Sequence, residues 1–373
     1  MLAAYKRQVP DSVPVSPELW DATAIAVARR PFYELVGPFA DVPWWQTHLA
    51  AFEYFGADAW IVPGVGRSPR QAEMVVEKSA FIDDATVETD IVYNTPQGPL
   101  HAIARTTSDY SGWLIEHPVK QFPADMERYE CYYFDDPDEA DVADINEAIA
   151  GVGEKGLVTP GVGELFTSFL ATVREGGMVQ TIYDLNDYPE YCWRLHARYV
   201  EHISAQTRVV LEKTRAQAIF VNSGYSAPPI ISPAVYRRFD VPVLKAVSEI
   251  CHQFNVPLHL HQHGHVQVLV NDLIGAGVDI VCPLLPPPQG DVADLGLLKR
   301  LTAGKIALKG NVDPIEVLLK GSPADVERAV LLCIEAAAEG GGYILGTADS
   351  TVVGTPFENI HAFVEAGRKY GRY

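Results

Sequence analysis

The C-terminal half of the chain alternates short β-rich apolar runs with longer helical patterns, and this alternation constrains the fold most, because it calls for parallel strands joined by helices. The strand candidates are Ala218 to Asn222, Val256 to His261, Asp279 to Pro283, Lys305 to Gly310 and Gly342 to Thr347. Helical stretches fall around residues 232–254, 265–276, 292–302, 314–338 and 356–368. Five β/α units in succession predict an α/β fold of the (β/α)8 TIM-barrel type, whose chemistry sits on the loops after the carboxyl ends of the strands.

Earlier in the chain, Asp58 to Pro63 and Gly156 to Thr159 read as two further strands after an N-terminal helical segment. Between them, Ala85 to Val119 alternates in a β fashion around the turn Thr95-Pro96-Gln97-Gly98, which predicts a β-hairpin excursion over roughly residues 80–119. Its last run, Trp113 to Val119, is expected to enter the barrel as the eighth strand. Helix starts are expected at Ser232-Pro233, with a hydroxyl cap before a first-turn proline, and at Thr355-Pro356-Phe357-Glu358, as a capping box. The proline cluster Pro286-Pro287-Pro288 falls where a strand-to-helix loop is due, so residues 1–373 are read as one barrel domain.

Composition excludes several classes. With 48% hydrophobic against 21% charged residues the chain is of globular type. Its formal charge of −19 repels phosphate backbones and anionic lipid, so neither nucleic acid nor membrane is an expected partner. No run approaches the roughly 18 apolar residues of a membrane span, and Met1 to Val13 lacks the apolar core of a signal peptide, so the expected compartment is cytoplasmic. The five cysteines are odd in number and widely spaced, which argues against a disulfide framework or a zinc ribbon; all but Cys282, at a predicted strand end, are expected to be buried packing residues.

The run Pro257-Leu258-His259-Leu260-His261-Gln262-His263-Gly264-His265 holds four of the eleven histidines at a spacing of two. On a strand that spacing puts alternate imidazoles on one face, so His259 and His261 are expected inside the barrel with His263 at its mouth. One histidine there is ordinarily a satisfied core residue, whereas four at a barrel strand end point to a site. A His-x-His pair converges on one ion when a third ligand arrives from elsewhere, and Asp349, after the last predicted strand, is the candidate. A loop or cap carboxylate is the alternative for Asp349. Further pocket candidates at strand ends are Asn222, Tyr225, Cys282 and Asn311, each with packing or loop hydrogen bonding as its alternative.

In order along the chain come Phe52-Glu53-Tyr54-Phe55-Gly56-Ala57-Asp58, Thr95-Pro96-Gln97-Gly98, Ile231-Ser232-Pro233, His261-Gln262-His263-Gly264, Gly275-Ala276-Gly277-Val278-Asp279, Gly310-Asn311-Val312-Asp313-Pro314, Gly341-Gly342-Tyr343-Ile344-Leu345 and Thr355-Pro356-Phe357-Glu358-Asn359-Ile360. With these marks the sequence resembles the uroporphyrinogen decarboxylase superfamily, and within it the corrinoid-dependent methyltransferase branch of the coenzyme M type. Methyltransferases of that family hold zinc with a His-x-Cys-Gly pair and a later cysteine before a Thr-Pro-x-Glu-Asn helix. His261 matches the family histidine, while His263 and Asp349 stand where the two cysteines belong.

The resemblance thus supports the location of a metal site at His261, His263 and Asp349, while position at strand ends makes His259, Asn222, Tyr225, Cys282 and Asn311 the substrate-binding candidates. It implies a divalent ion, zinc in the family, although harder ligands favour harder ions and leave another metal or none open. It also implies methyl transfer between a corrinoid and a thiol or similar small-molecule acceptor. No Asp-x-His-x-x-Gly corrinoid signature occurs here, so the corrinoid is expected on a separate protein. A homodimer is a further expectation. Two other readings stand beside this one: a metal-dependent lyase or decarboxylase acting on a small carboxylated substrate, and a non-catalytic barrel binder. An arginine-rich N-terminal segment of the kind that grips tetrapyrrole carboxylates was not found, and the acidic charge agrees with that.

Overall fold

A computed structural model describes residues 1–37, 39–302 and 304–373. Its strands, in chain order, are β1 Ala59–Ile61, β2 Val75–Asp83, β3 Thr86–Thr95, β4 Gly98–Thr107, β5 Trp113–Glu116, β6 Gly156–Val158, β7 Gly161–Glu164, β8 Ile219–Asn222, β9 Leu258–Gln262, β10 Ile280–Pro283, β11 Ala307–Val312 and β12 Tyr343–Thr347. A six-stranded parallel sheet runs β12-β11-β10-β9-β8-β7, and β1 pairs with β6. The five C-terminal strands lie where the alternation predicts them.

Backbone hydrogen bonds carry these two sheets into a ring. The amides of Thr159 and Gly161 donate to the carbonyls of Ile61 and Pro63 at 2.9 Å, so β6 and β7 act as one strand interrupted at Pro160. On the other side, the Leu345 amide donates to Pro14 O at 2.9 Å and the Ser16 amide to Leu345 O at 2.8 Å, placing the stretch Val13 to Ser16 beside β12. Val15 O then accepts from the Asp58 amide at 2.8 Å, just ahead of β1.

The eighth barrel position therefore belongs to Val13 to Ser16 and not to Trp113 to Val119, as expected from sequence. Trp113–Glu116 is instead the last strand of a four-stranded antiparallel sheet, β2-β3-β4-β5, which also replaces the simple hairpin. The turn at Thr95 does form as read, with the Thr95 hydroxyl donating to Gly98 O at 2.7 Å. β5 pairs with β4 because Leu114 has a cross-strand partner in Ala104, half-buried like itself, and no free barrel edge remains.

Ser232 caps its helix as predicted, accepting from the Val235 amide at 3.2 Å. Thr355 does not cap: its hydroxyl donates to Val352 O at 2.8 Å, and the helix Phe357–Tyr370 begins without a side-chain cap. The expected helix over 314–338 is broken at Gly321, where Ser322 and Asp325 close a capping box for Pro323–Ala337. All five cysteines are free; Cys192, Cys251 and Cys282 are buried, whereas Cys131 and Cys333 are only half-buried. No helix among the described residues is long and apolar enough to cross a membrane.

Candidate functional site

Strand β9 sets the site. Leu258 and Leu260 are buried in the apolar shell, which turns His259 and His261 toward the barrel axis. After β9 the chain bends sharply at Gly264, whose φ of +65° and contact with the Pro228 carbonyl leave no room for a side chain. That bend leaves half-buried His263 at the mouth, above buried His261.

His261, His263 and Asp349 converge. Nε2 of His261 lies 2.8 Å from Nε2 of His263, which lies 3.7 Å from Asp349 Oδ2. One ligand atom from each of the three falls within 4.8 Å of the others. A tetrahedral ion with bonds of about 2.1 Å separates its ligands by roughly 3.4 Å, so the two imidazoles need part by about half an ångström to admit one.

The outer nitrogens fit that role. Nδ1 of His263 lies 3.4 Å from Gly224 O, and Nδ1 of His261 lies 3.2 Å from Cys282 Sγ. Metal-ligating imidazoles ordinarily donate their second N–H to such a partner, leaving the inner nitrogen its lone pair. Because a carbonyl can only accept, Gly224 favours the His263 tautomer with its proton on Nδ1. Burial, with His263 adding to it and Asp349 opposing, lowers the pKa of His261 to about 3, so its ring is neutral and able to ligate.

Beneath this group lies a second, fully buried layer. His259 Nε2 is 3.1 Å from Cys282 Sγ, and its Nδ1 is 2.9 Å from the Tyr5 hydroxyl. Trp60 stacks on the His259 ring at 4.8 Å between centroids. The Lys309 ammonium sits 4.2 Å over Trp60 and 3.0 Å from Glu18 Oε1. Glu18 Oε2 has no partner among the described residues, and the Glu18, His261 and Cys282 ligand atoms lie within 4.8 Å of one another. Burial, then the Lys309 charge, holds His259 well below the usual imidazole range; burial with Glu18 beside it pushes the Cys282 thiol well up.

The remaining candidates stand apart from the cluster to different degrees. Asn222 is level with His261 in the β8–β9 register, its Oδ1 accepting from the Gly224 amide at 3.0 Å. Tyr225 is exposed, its amide donating to Ser168 Oγ at 3.1 Å. Asn311 is engaged with Val292 O at 3.4 Å and with the Cys333 thiol at 3.6 Å. Glu18, Lys309, Tyr5 and Trp60 were not anticipated. Lys309 carried a signal, being a charged residue directly after the apolar run Ile306-Ala307-Leu308 within a strand; Tyr5 and Glu18 carried none, since they reach the site from the far end of the chain.

Comparison with known proteins agrees with this architecture. The family described as Uroporphyrinogen decarboxylase (URO-D) matches residues 112–370. A uroporphyrinogen decarboxylase of Coxiella burnetii is 26% identical over 145 residues, 38% of this chain and 38% of that protein. A methylated-thiol–coenzyme M methyltransferase of Methanosarcina mazei is 25% identical over 151 residues, 40% of this chain and 37% of that one. A uroporphyrinogen decarboxylase of Synechococcus is 30% identical over 182 residues, 48% of each chain. These matches span less than half the length of each relative. The solved structure of a methyltransferase from Methanosarcina mazei superposes with a TM-score of 0.65 at 15% identity, covering 99% of this chain and 97% of that one, which shows the fold. Since the family match runs from the edge of the antiparallel sheet to the end of the last helix, the chain belongs to the uroporphyrinogen decarboxylase (URO-D) family.

Proposed function

We propose that this protein is a methyltransferase, moving a methyl group between a corrinoid carried by a separate protein and a thiol or similar small-molecule acceptor. A divalent ion, zinc in the first instance, would be held by His261, His263 and Asp349. The observation that carries the reading is the convergence of these three ligand atoms within 4.8 Å, at the strand end where a barrel does its chemistry. The methyltransferase relative and the TM-score of 0.65 support it from outside the site.

The ion would lower the pKa of a bound acceptor and so raise its nucleophilicity at neutral pH. The protein's own part is positional. Gly224 O and Cys282 Sγ orient the two imidazoles, while Asn222, level with His261, and Tyr225, exposed beyond it, are placed to meet substrate. Tyr5 and Trp60 hold the floor of the site through His259. Such fixed geometry shortens the search for an in-line approach.

Incubating the zinc-loaded protein with methylcobalamin and a panel of thiols tests the reading. Slow demethylation of the corrinoid, dependent on both protein and thiol, is expected. No transfer, together with corrinoid-free turnover of a small carboxylated substrate, would replace it with the metal-dependent lyase reading.

A further inference from the structure

Against the metal-ligating cluster lies a cavity of about 410 Å³. It is bounded by the start of the helix Asp21–Ala28, by residues 109–111 after β4, and by residues 349–353 after β12. It is lined by three acidic residues, Asp21, Asp109 and Asp349, by the aromatic residues Trp20 and Tyr110, and by the apolar Val353. Among the described residues no Lys, Arg or His lines it. Asp349 belongs to both cavity and cluster, so whatever fills the cavity stands beside the ion.

Charge and shape select the occupant together. A divalent ion on Asp349 still leaves three carboxylates against two positive charges, so the cavity remains net negative when loaded. Asp21 is half-buried, and desolvation pushes its carboxyl up while the Ser111 hydroxyl opposes the shift. A desolvated carboxylate with no basic neighbour on its wall gains from a cationic ligand. Hydrated inorganic cations want oxygen on all sides, which Trp20, Val352 and Val353 do not offer. Aromatic faces beside carboxylates instead match an organic cation with methyl groups on its charged atom. Trp20 is held in place for this by edge contacts with His48 at 5.2 Å and Trp60 at 5.4 Å.

We propose that this cavity is a binding site for a methylated ammonium cation, held beside the metal-ligating cluster without any bond being made or broken there, its methyl groups against Trp20 and Tyr110 and its charge offset by Asp21 and Asp109. Its place beside an ion rests on the metal-site reading; the charge class rests on the cavity alone. An anionic thiol such as a sulfonate, or a polycarboxylate, meets like charge there.

Calorimetric titration of the full chain, stripped with chelator and again loaded with zinc, decides between them. The probes are choline, its uncharged isostere 3,3-dimethylbutan-1-ol, and 2-mercaptoethanesulfonate. Choline is expected to bind about tenfold more tightly than the alcohol, and the sulfonate, compared on the chelator-stripped protein where no ion can take its thiolate, more weakly than either. Tyr110→Leu, at an exposed position, and Asp109→Asn are each expected to weaken choline about five- to tenfold while leaving the alcohol unchanged. Equal binding of choline and alcohol, preference for the sulfonate, or no choline binding at millimolar concentration overturns the proposal. Metal content measured on the same samples keeps the two readings apart: lost choline preference with metal retained refutes the charge class alone, and choline preference in protein that takes up no zinc when offered it refutes the metal site alone.

Discussion

The Lys309 ammonium stands 3.0 Å from Glu18 Oε1 with neither side chain exposed, joining β11 to the N-terminal segment directly beneath the His261 cluster. A buried pair contributes little over an apolar pair of the same shape, but removing one partner strands a charge without water. Glu18→Gln or Lys309→Met alone is therefore expected to cost about 3–5 kcal/mol, and the double variant Glu18→Gln/Lys309→Met clearly less than the sum. Urea unfolding at neutral pH measures this; full additivity would show that the two charges do not sense one another.

Acid sensitivity follows from His48. Burial between Trp20 and Trp44 lowers its pKa to about 3, and its Nε2 has no partner. The unfolded chain protonates this ring below about 6.5, while the folded chain does so only near 3. Below pH 6.5 the unfolded state thus binds more protons, and stability falls as pH falls until the folded pKa is reached. His259 and His261 act in the same direction; Asp240, raised by burial to about 7, acts in the opposite one. His48→Leu should flatten the stability profile between pH 6 and 4 by up to about 1.4 kcal/mol per pH unit. An unchanged slope in urea midpoints across that range would contradict the assignment.

Much of the barrel was legible because β8 to β12 are apolar runs bounded by turn residues, and side-chain alternation on β9 put His261 inward and His263 at the mouth. Val13 to Ser16 escaped notice because Pro10, Pro14 and Pro17 crowd it, and proline ordinarily argues against a strand. It serves nonetheless, since Val13, Val15 and Ser16 donate from the amides that remain. Pro160 hid the join of β6 and β7 in the same way. Long-range pairing explains the other omissions: nothing local in Tyr5 announces His259, and nothing in Glu18 announces Lys309.

Cys282 Sγ lies 3.1 Å from His259 and 3.2 Å from His261, which makes it a positioning residue for the His261 ring. Cys282→Ala removes the partner of Nδ1 and is expected to weaken metal binding roughly 10- to 100-fold, whereas Cys282→Ser retains a partner and should restore most of the affinity. Zinc titration against a competing chelator reads both variants, and equal affinity for Ala and Ser would remove Cys282 from this role. The native thiol should also resist alkylation at pH 8, being buried with its pKa raised.

The central claim, that His261, His263 and Asp349 hold a divalent ion, is tested most directly by elemental analysis of the purified protein beside His261→Ala. One ion per chain is expected in the wild type. His261→Ala should lose it with the fold intact, since the imidazole faces the barrel axis beneath His263 and is not part of the aliphatic shell. Wild-type protein that carries no metal and takes up none when offered zinc, manganese or iron, or His261→Ala that keeps the wild-type content, would contradict the account and leave the three residues as a hydrogen-bonded cluster.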